Sequence, residues 1–305
     1  MTIPNEFLSA LEREGILYTL NEPMANHTSF KIGGPADVFI LLRDMARLQY
    51  IVSLCKNHGV PLTVIGNGSN MLVSDDGIDG CVLRLDDNTQ KPKMLTDTKI
   101  YCPAGIPMSA LCSFALQNGL GGMEFAWGIP GTVGGGMYMN AGAYNGQLKD
   151  VVTRCYHITP DGHEGHLDAE DLKLGYRCSV YQENGCVITG IELELIPKDK
   201  AAIKDRMDTL MFRRKDKQPL EYPSAGSVFK RPEGYFAGAL IEGNDLKGCT
   251  IGGAQVSQKH AGFIINIGGA TCRDVTSLIR HIQDVVMEND GVMLECEIRA
   301  VGRNV

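Results

Sequence analysis

Four stretches of the chain repeat apolar residues at helical spacing, and each carries its own stop or start signal. After Asp44, the positions Met45, Leu48, Val52 and Cys55 fall on one face, and Gly59 closes the turn. A second helix opens at Pro107, carries Met108, Leu111, Cys112, Ala115 and Leu116, and is closed by Gly119. A third follows Pro197-Lys-Asp-Lys200, with Ile203, Met207, Leu210 and Met211 on one side, and ends in the basic cluster Arg213-Arg-Lys-Asp-Lys217. The fourth begins with a capping box, Thr271 to Asp274, runs through Val275, Leu278, Ile279, Ile282, Val285 and Val286, and stops at Gly291. Between them the period changes to two. Val60 to Ile65 and Val152 to Ile158 read as strands, the second followed by the turn Thr159-Pro-Asp-Gly162. Ile191, Leu193 and Leu195 alternate with Glu192 and Glu194, the pattern of a half-exposed strand. Near the end Val292, Leu294, Cys296 and Ile298 alternate with Glu295, Glu297 and Arg299, which predicts Glu297 and Arg299 as neighbours on one strand face.

This mixture is α+β with segregated halves rather than a regular βαβ array. The length, 305 residues, suits two domains. The boundary is expected at Pro197–Lys200, giving domains 1–198 and 199–305, the first with subdomains of about 1–86 and 87–198. The formal net charge of −7 argues against a general nucleic-acid binder but leaves room for a small anionic ligand held by local cations. No apolar run approaches a membrane span, and Met1 to Glu6 does not begin a signal peptide, so a cytoplasmic protein without a membrane partner is expected. The ten cysteines show no Cys-x-x-Cys spacing and lie mostly in apolar segments, which reads as reduced core thiols. The seven histidines show no metal spacing, and no metal is expected.

Glycine changes the picture. Ten of the 36 lie between Gly119 and Gly146, centred on Gly128-Ile-Pro-Gly-Thr-Val-Gly-Gly-Gly136 and followed by Asn140-Ala-Gly-Ala-Tyr144. Gly66-Asn-Gly-Ser-Asn70 repeats the theme after a strand. Such loops let backbone N–H groups approach an anion, and two of them in one domain suit a pyrophosphate; for the short loop alone, tight turns explain the glycines equally well. Neither loop is a Rossmann fingerprint or a Walker A loop. Three further segments carry candidate chemistry: Pro223-Ser-Ala-Gly-Ser-Val-Phe-Lys230-Arg-Pro232, Gly175-Tyr-Arg177-Cys-Ser, and the carboxylates Glu295 and Glu297. Taken singly, each is more commonly a turn, a surface cation or a solvated strand face. His260, in Lys259-His-Ala-Gly-Phe263, is the one histidine of interest. Residue chemistry alone therefore reaches a two-domain binder of an anionic dinucleotide.

The order of the motifs is more specific. Asn26-His-Thr-Ser-Phe-Lys-Ile-Gly-Gly-Pro35, Gly66–Asn70, Gly128–Gly131, Tyr176-Arg177, Ser224–Lys230 and Leu294-Glu-Cys-Glu-Ile-Arg299 together resemble the UDP-N-acetylenolpyruvoylglucosamine reductases, over nearly the whole chain and nearest the shorter, type II form. That resemblance implies an FAD-binding domain of the vanillyl-alcohol-oxidase (PCMH) type, made of two α+β subdomains, and a C-terminal α+β domain for the UDP-sugar. It implies non-covalent FAD, NADPH as electron donor, and a place in peptidoglycan precursor synthesis. Ile65, Gly66, Asn67, Gly68, Ser69 and Asn70 would hold the FAD together with Gly128, Ile129, Pro130, Gly131, Gly134 and Gly135; Asn140, Ala141 and Gly142 would border the flavin, and Arg214 would join them. Tyr144, Lys217 (in the Arg-x-x-Lys-x-Pro pattern from Arg214), Arg231, His260 and Arg299 match substrate-side positions. Arg231 and His260 depart from the longer type, which has asparagine and glutamine there.

The resemblance also implies roles. Hydride passes from NADPH by way of the FAD to the terminal carbon of the enolpyruvyl double bond, and negative charge builds on the neighbouring carbon and its carboxylate. Arg177 matches the cation that stabilises this charge, Ser227 the proton donor to the carbanion, and Glu297 the catalytic glutamate, expected to be protonated or hydrogen-bonded with a raised pKa. Two other readings compete. A flavin-dependent sugar or alcohol oxidase would keep the glycine loops without needing the Arg177, Ser227 and Glu297 set. A non-catalytic nucleotide-binding module would explain the loops and cations only.

Overall fold

The computed structural model describes residues 2–86 and 90–305. The expected subdomain limit at 86/87 adjoins residues 87–89, which lie outside the described residues. The chain forms two compact units that are not successive stretches. The first holds the residues up to Thr19, Val38–Asn67 and Gly80–Arg214; the second holds Leu20–Asp37, Gly68–Asp79 and Lys215–Val305.

In the first unit, five antiparallel strands lie in the order Glu164–Asp168, Val152–Ile158, Val187–Glu194, Lys99–Pro103 and Lys93–Met94. A parallel pair, Leu62–Ile65 with the strand Ile78–Leu85, runs in register from Leu62 opposite Cys81 to Ile65 opposite Arg84. The helices follow their sequence signals. Asp44 Oδ1 accepts from the Ala46 amide at 3.2 Å and starts a 3-10 turn that continues as the helix Leu48–Asn57. Helix Met108–Gln117 follows Pro107, which stands just before the first helical residue rather than within the helix. Their apolar faces, including Leu48, Ile51, Leu111 and Cys112, join Ile100, Cys102, Ile191 and Leu193 of the sheet in one buried core.

The glycine-rich stretch is not wholly loop: Val133–Tyr138 is helical, with Thr132 Oγ1 accepting from the Gly135 amide. Just before it, Glu124 is 8% exposed. Its carboxylate accepts from the Gly122 amide at 2.7 Å and from Lys198 Nζ at 2.8 Å.

The second unit is built on the antiparallel sheet Ser224–Ser227, Phe263–Asn266, Ala254–Val256 and Thr250–Ile251. Helix Cys272–Asp290 has both halves of its capping box and ends on Gly291 in the left-handed conformation. Asp75 adds a second cap from the 68–79 segment, accepting from the amides of Cys272 and Arg273 at 2.7 and 3.0 Å. Phe30, Ile32 and Leu72 are buried in the same core as Ala225, Val256, Ile264, Leu278 and Ile282.

The expected strand Val292–Arg299 is a correction. Only Arg299–Val301 is a strand, parallel to Met71–Val73. The preceding residues make a single bridge, Phe229 to Cys296, and Cys296 is exposed, which breaks the alternation. This segment follows two partners in turn, first the chain after Ser227 and then Met71–Val73, so no single sheet face repeats along it.

The pairs at Glu124 imply a pH effect. Burial pushes its pKa up, but the Lys198 ion pair and the amides of Glu124 and Gly122 outweigh it, and the net shift is downward from 4.5. A lowered carboxylate contributes stability that is complete above the ordinary carboxylate range and is lost as pH falls through the folded-state value. Glu124→Gln should therefore lower the urea midpoint at pH 7 and narrow the gap between the variant and the wild type below about pH 4. An equal gap at both pH values would contradict this.

Candidate functional site

Each unit carries a set of candidate residues. In the first, the loop after Ile65 meets the loop of Gly128–Thr132. A Cβ on Gly66 would lie 2.3 Å from Thr132 Oγ1, so only glycine allows this approach. Asn67 Nδ2 donates to the Pro130 carbonyl at 3.0 Å, and its Oδ1 accepts from Arg84 Nη2 at 3.2 Å. Arg214, at the end of its helix, lies along Gly128: a Cβ there would meet Arg214 Cδ at 2.8 Å. Burial holds the pKa of Arg214 below its ordinary value, with Tyr144 opposing the shift. Among the described residues no carboxylate pairs with this guanidinium. A partly desolvated cation packed against the Gly128 loop is suited to receive an anion.

A second group in this unit is marked by backbone strain. Tyr144 and Asn145 have φ of 52° and 68° and form the two-residue turn between Gly142–Ala143 and Gly146–Gln147. Arg177 has φ 55° and sits at the tip of another turn, in which the Gly175 and Cys178 amides each donate to the other residue's carbonyl. Non-glycine residues adopt this region at a cost of about 1–2 kcal/mol, and such strain clusters at functional positions.

Asn140 (φ 42°, 1% exposed) joins the two turns. Its Nδ2 donates to the Gly175 carbonyl at 2.7 Å and to Gln147 Oε1 at 3.0 Å, and its Oδ1 accepts from the Lys149 amide at 2.9 Å. The Asn140 side chain is thus engaged within the protein. Arg177 Nη2 donates to the Gly142 carbonyl at 3.1 Å, and its guanidinium stands 5.2 Å from the Tyr176 ring. Gly134 and Gly135 lie in the short helix after Thr132, and Ile129 packs on the first core.

In the second unit, Ser227 ends a strand whose pairing with Phe263–Asn266 is irregular between Ser224 and Ser227, where Gly226 has φ 82°. Glu297 is anchored beside it, its amide donating to the Val228 carbonyl at 2.7 Å. The rest of the first loop belongs here. Asn70 Nδ2 donates to the Glu297 carbonyl at 3.1 Å, and the Asn70 carbonyl accepts from the Arg299 amide at 3.0 Å. Of the two carboxylates singled out in sequence, Glu295 is exposed and ion-paired with Lys230 at 3.1 Å, whereas Glu297 is half-buried.

His260 Nδ1 accepts from the Gly262 amide at 3.1 Å, which leaves the proton of a neutral ring on Nε2. Burial lowers the His260 pKa from 6.5, and the nearby charges of Lys247 and Lys217 act the same way, against its own backbone hydrogen bond and Glu242. The ring is therefore a neutral donor at pH 7 with Lys217 in its surroundings. Arg231 stacks on Phe236 with its guanidinium 3.9 Å from the ring. No His, Cys, Asp or Glu cluster able to hold a metal occurs among the described residues.

Sequence reasoning missed the supporting contacts of Thr132, Glu124 and Asn140. Thr132, a threonine just before Val133, had the residue type of a helix cap, but the glycines after it read as loop.

Residues 36–168 match a family model described as FAD binding domain, so the protein is of the FAD-binding class. Residues 218–301 match the model for the UDP-N-acetylenolpyruvoylglucosamine reductase C-terminal domain. The UDP-N-acetylenolpyruvoylglucosamine reductase of Clostridium botulinum (strain Hall) is 47% identical over 288 residues, covering 93% of this chain and 92% of that one. That of Lachnoclostridium phytofermentans is 46% identical, covering 94% of each chain. The crystal structure of the reductase from Thermus caldophilus superposes with a TM-score of 0.80 at 33% identity, covering 94% of this chain and 98% of that one. The chain belongs to the UDP-N-acetylenolpyruvoylglucosamine reductase family, a family of oxidoreductase enzymes.

The Asn140 junction yields a prediction independent of any ligand. Asn140→Ala leaves the Gly175 carbonyl and the Lys149 amide without their partner, so urea denaturation should show a loss of about 1–3 kcal/mol. A change below about 0.5 kcal/mol would mean that water replaces the side chain.

Proposed function

We propose that this protein reduces UDP-N-acetylglucosamine enolpyruvate to UDP-N-acetylmuramate with NADPH, in the cytoplasm, as a step in peptidoglycan precursor synthesis. The observation that carries the reading is Arg214: its half-buried guanidinium has no carboxylate partner among the described residues, and it lies along Gly128, which falls in the stretch that matches an FAD-binding model. The residues present fit FAD. Arg214 and the backbone amides of Gly66–Asn70 and Gly128–Gly135 answer a pyrophosphate, and Asn140–Gly142 border the flavin. In this reading residues 1–198, joined by Arg214, serve the FAD, and residues 199–305, joined by Tyr144, serve the UDP-sugar. No helix among the described residues is long and apolar enough to cross a membrane.

When bound, FAD supplies a two-electron relay by which the hydride of NADPH reaches the terminal carbon of the enolpyruvyl double bond. The protein's own part is charge and proton management. Arg177 offers a permanent cation with paired donors to the substrate carboxylate, where negative charge grows as the hydride arrives. Ser227 gives its hydroxyl proton to the neighbouring carbon, a far stronger base than water, and regains one from solvent. The net change is one hydride and one proton added across the double bond, with NADPH oxidised to NADP. Glu297 stands beside Ser227 along the backbone and serves as a hydrogen-bonding partner in that transfer. Tyr144, Lys217, Arg231, His260 and Arg299 hold the sugar nucleotide, with His260 acting as a neutral Nε2–H donor.

Anaerobic visible absorbance tests the proposal. The FAD-loaded protein should bleach with NADPH and recover its flavin band on adding the enolpyruvyl UDP-sugar. Bleaching without recovery would reject the substrate. Arg214→Met should weaken FAD binding by about 10²-fold, as removal of one partner of a buried ionic contact does, measured by flavin release on dilution. Ser227→Ala should still bleach with NADPH but recover about 10²–10³-fold more slowly.

A further inference from the structure

The segment Leu20–Asp37 has no part in the reaction as described, yet it touches two elements that do. Within the second unit, Ser29 Oγ donates to the Ser224 carbonyl at 2.6 Å and lies 3.4 Å from the Gly68 carbonyl. The Ser29 amide donates to that same Gly68 carbonyl at 3.2 Å. Ser29 and Ser224 are 195 residues apart in sequence. Ser224 begins the strand that ends at Ser227, and Gly68 begins the half of the glycine loop that belongs to this unit. We propose that Ser29 is a positioning residue for the proton donor Ser227, a clamp that holds the donor strand against the Gly68 turn. The inference rests on the reading of Ser227 given above.

Three observations carry it. First, the donor strand needs an external tether. Its pairing with Phe263–Asn266 breaks between Ser224 and Ser227, so the sheet alone does not fix the angle at which Ser227 leaves it. The far side of the break is held, since the Val228 amide donates to the Gly262 carbonyl at 2.9 Å and the Val228 carbonyl accepts from Glu297. On the near side the Pro223 carbonyl accepts from the Asn266 amide, and Ser29 takes the Ser224 carbonyl beside it.

Second, the clamp is itself rigid. Ser29 is flanked by Thr28, whose buried hydroxyl donates to the Ile32 carbonyl at 2.9 Å, and by Phe30, which is fully buried. The Phe30 carbonyl accepts from Asn266 Nδ2 at 3.1 Å, on the strand paired with the donor strand. Third, the other end admits no slack. Gly68 has φ 59°, and a Cβ there would lie 2.3 Å from the His27 carbonyl oxygen. The loop therefore lies directly on the backbone that carries Ser29. Hydrogen bonds of this kind hold a reacting group in its productive pose, and misplacement by ~1 Å can cost as much as ~10²-fold in rate.

The test measures the two half-reactions separately on FAD-loaded protein. Ser29→Ala should be reduced by NADPH at the wild-type rate, with unchanged FAD content. Its reoxidation by the enolpyruvyl UDP-sugar should be about tenfold slower, with a larger solvent deuterium effect on that step, because the proton transfer has become limiting. Ser29→Thr, which keeps the hydroxyl, should restore both. A merely structural role would slow both half-reactions or lower FAD content, and would leave the solvent isotope effect at its wild-type value; either result overturns the clamp. Ser227→Ala in parallel separates the two claims. If it reoxidises quickly, the donor assignment falls and the clamp with it. If it is slow while Ser29→Ala behaves as wild type, the donor stands and the clamp alone is wrong.

Discussion

The second hydrophobic core draws on parts of the chain that are far apart in sequence, and most of what matters in that unit follows from it. Phe30, Ile32 and Leu72 are buried among side chains that all come after residue 224. Burial of apolar area is strong but undirected; it selects which segments must meet and leaves their polar groups to settle register. Once Leu20–Asp37 and Gly68–Asp79 are held by those side chains, the polar contacts become short and local in space. Asn70 reaches the Glu297 carbonyl, Asp75 caps the helix Cys272–Asp290, and Ser29 reaches Ser224. Arg303 completes the arrangement, donating to the carboxylates of Asp37 and Asp79 and to the Asp76 carbonyl.

The first unit solves a different problem. Its candidate residues stand on short turns, which would be mobile without support. Asn140 supplies that support by linking the turn that bears Tyr144 to the turn that bears Arg177, using both ends of one buried amide. The positive φ of Arg177 is the cost of aiming a long, flexible cation from a two-residue tip. Arg214 is restrained differently, by packing along Gly128, where it is partly desolvated.

Local signals proved readable and distant ones did not. The helices Leu48–Asn57, Met108–Gln117, Lys200–Lys217 and Cys272–Asp290 were legible because period, cap and stop residue all lie within a few positions of one another. The strand Val152–Ile158 and its turn were legible for the same reason. Helix Val133–Tyr138 was hidden by its three glycines, which read as loop; it persists because Thr132 caps it and because a tight fit to its neighbours favours the absence of side chains. The alternation at 292–299 misled because it is a pattern without a single partner strand. The catalytic candidates were visible through the order of their motifs, since that order is itself a long-range property. Ser29 and the junction at Asn140 were not, because a serine's hydrogen-bond partner 195 residues away leaves no trace beside it in the chain.

That same separation sets a schedule for biosynthesis. A chain emerging from the ribosome at about 5–20 residues per second exposes Ser29 roughly 10–40 s before Ser224 exists. Throughout that interval Phe30 and Ile32 lack the side chains after residue 224 that bury them in the folded protein. The second unit can complete its core only once the residues after 224 have been made. Damage near the C-terminus, by a frameshift or a nick, would release segments made at the very beginning.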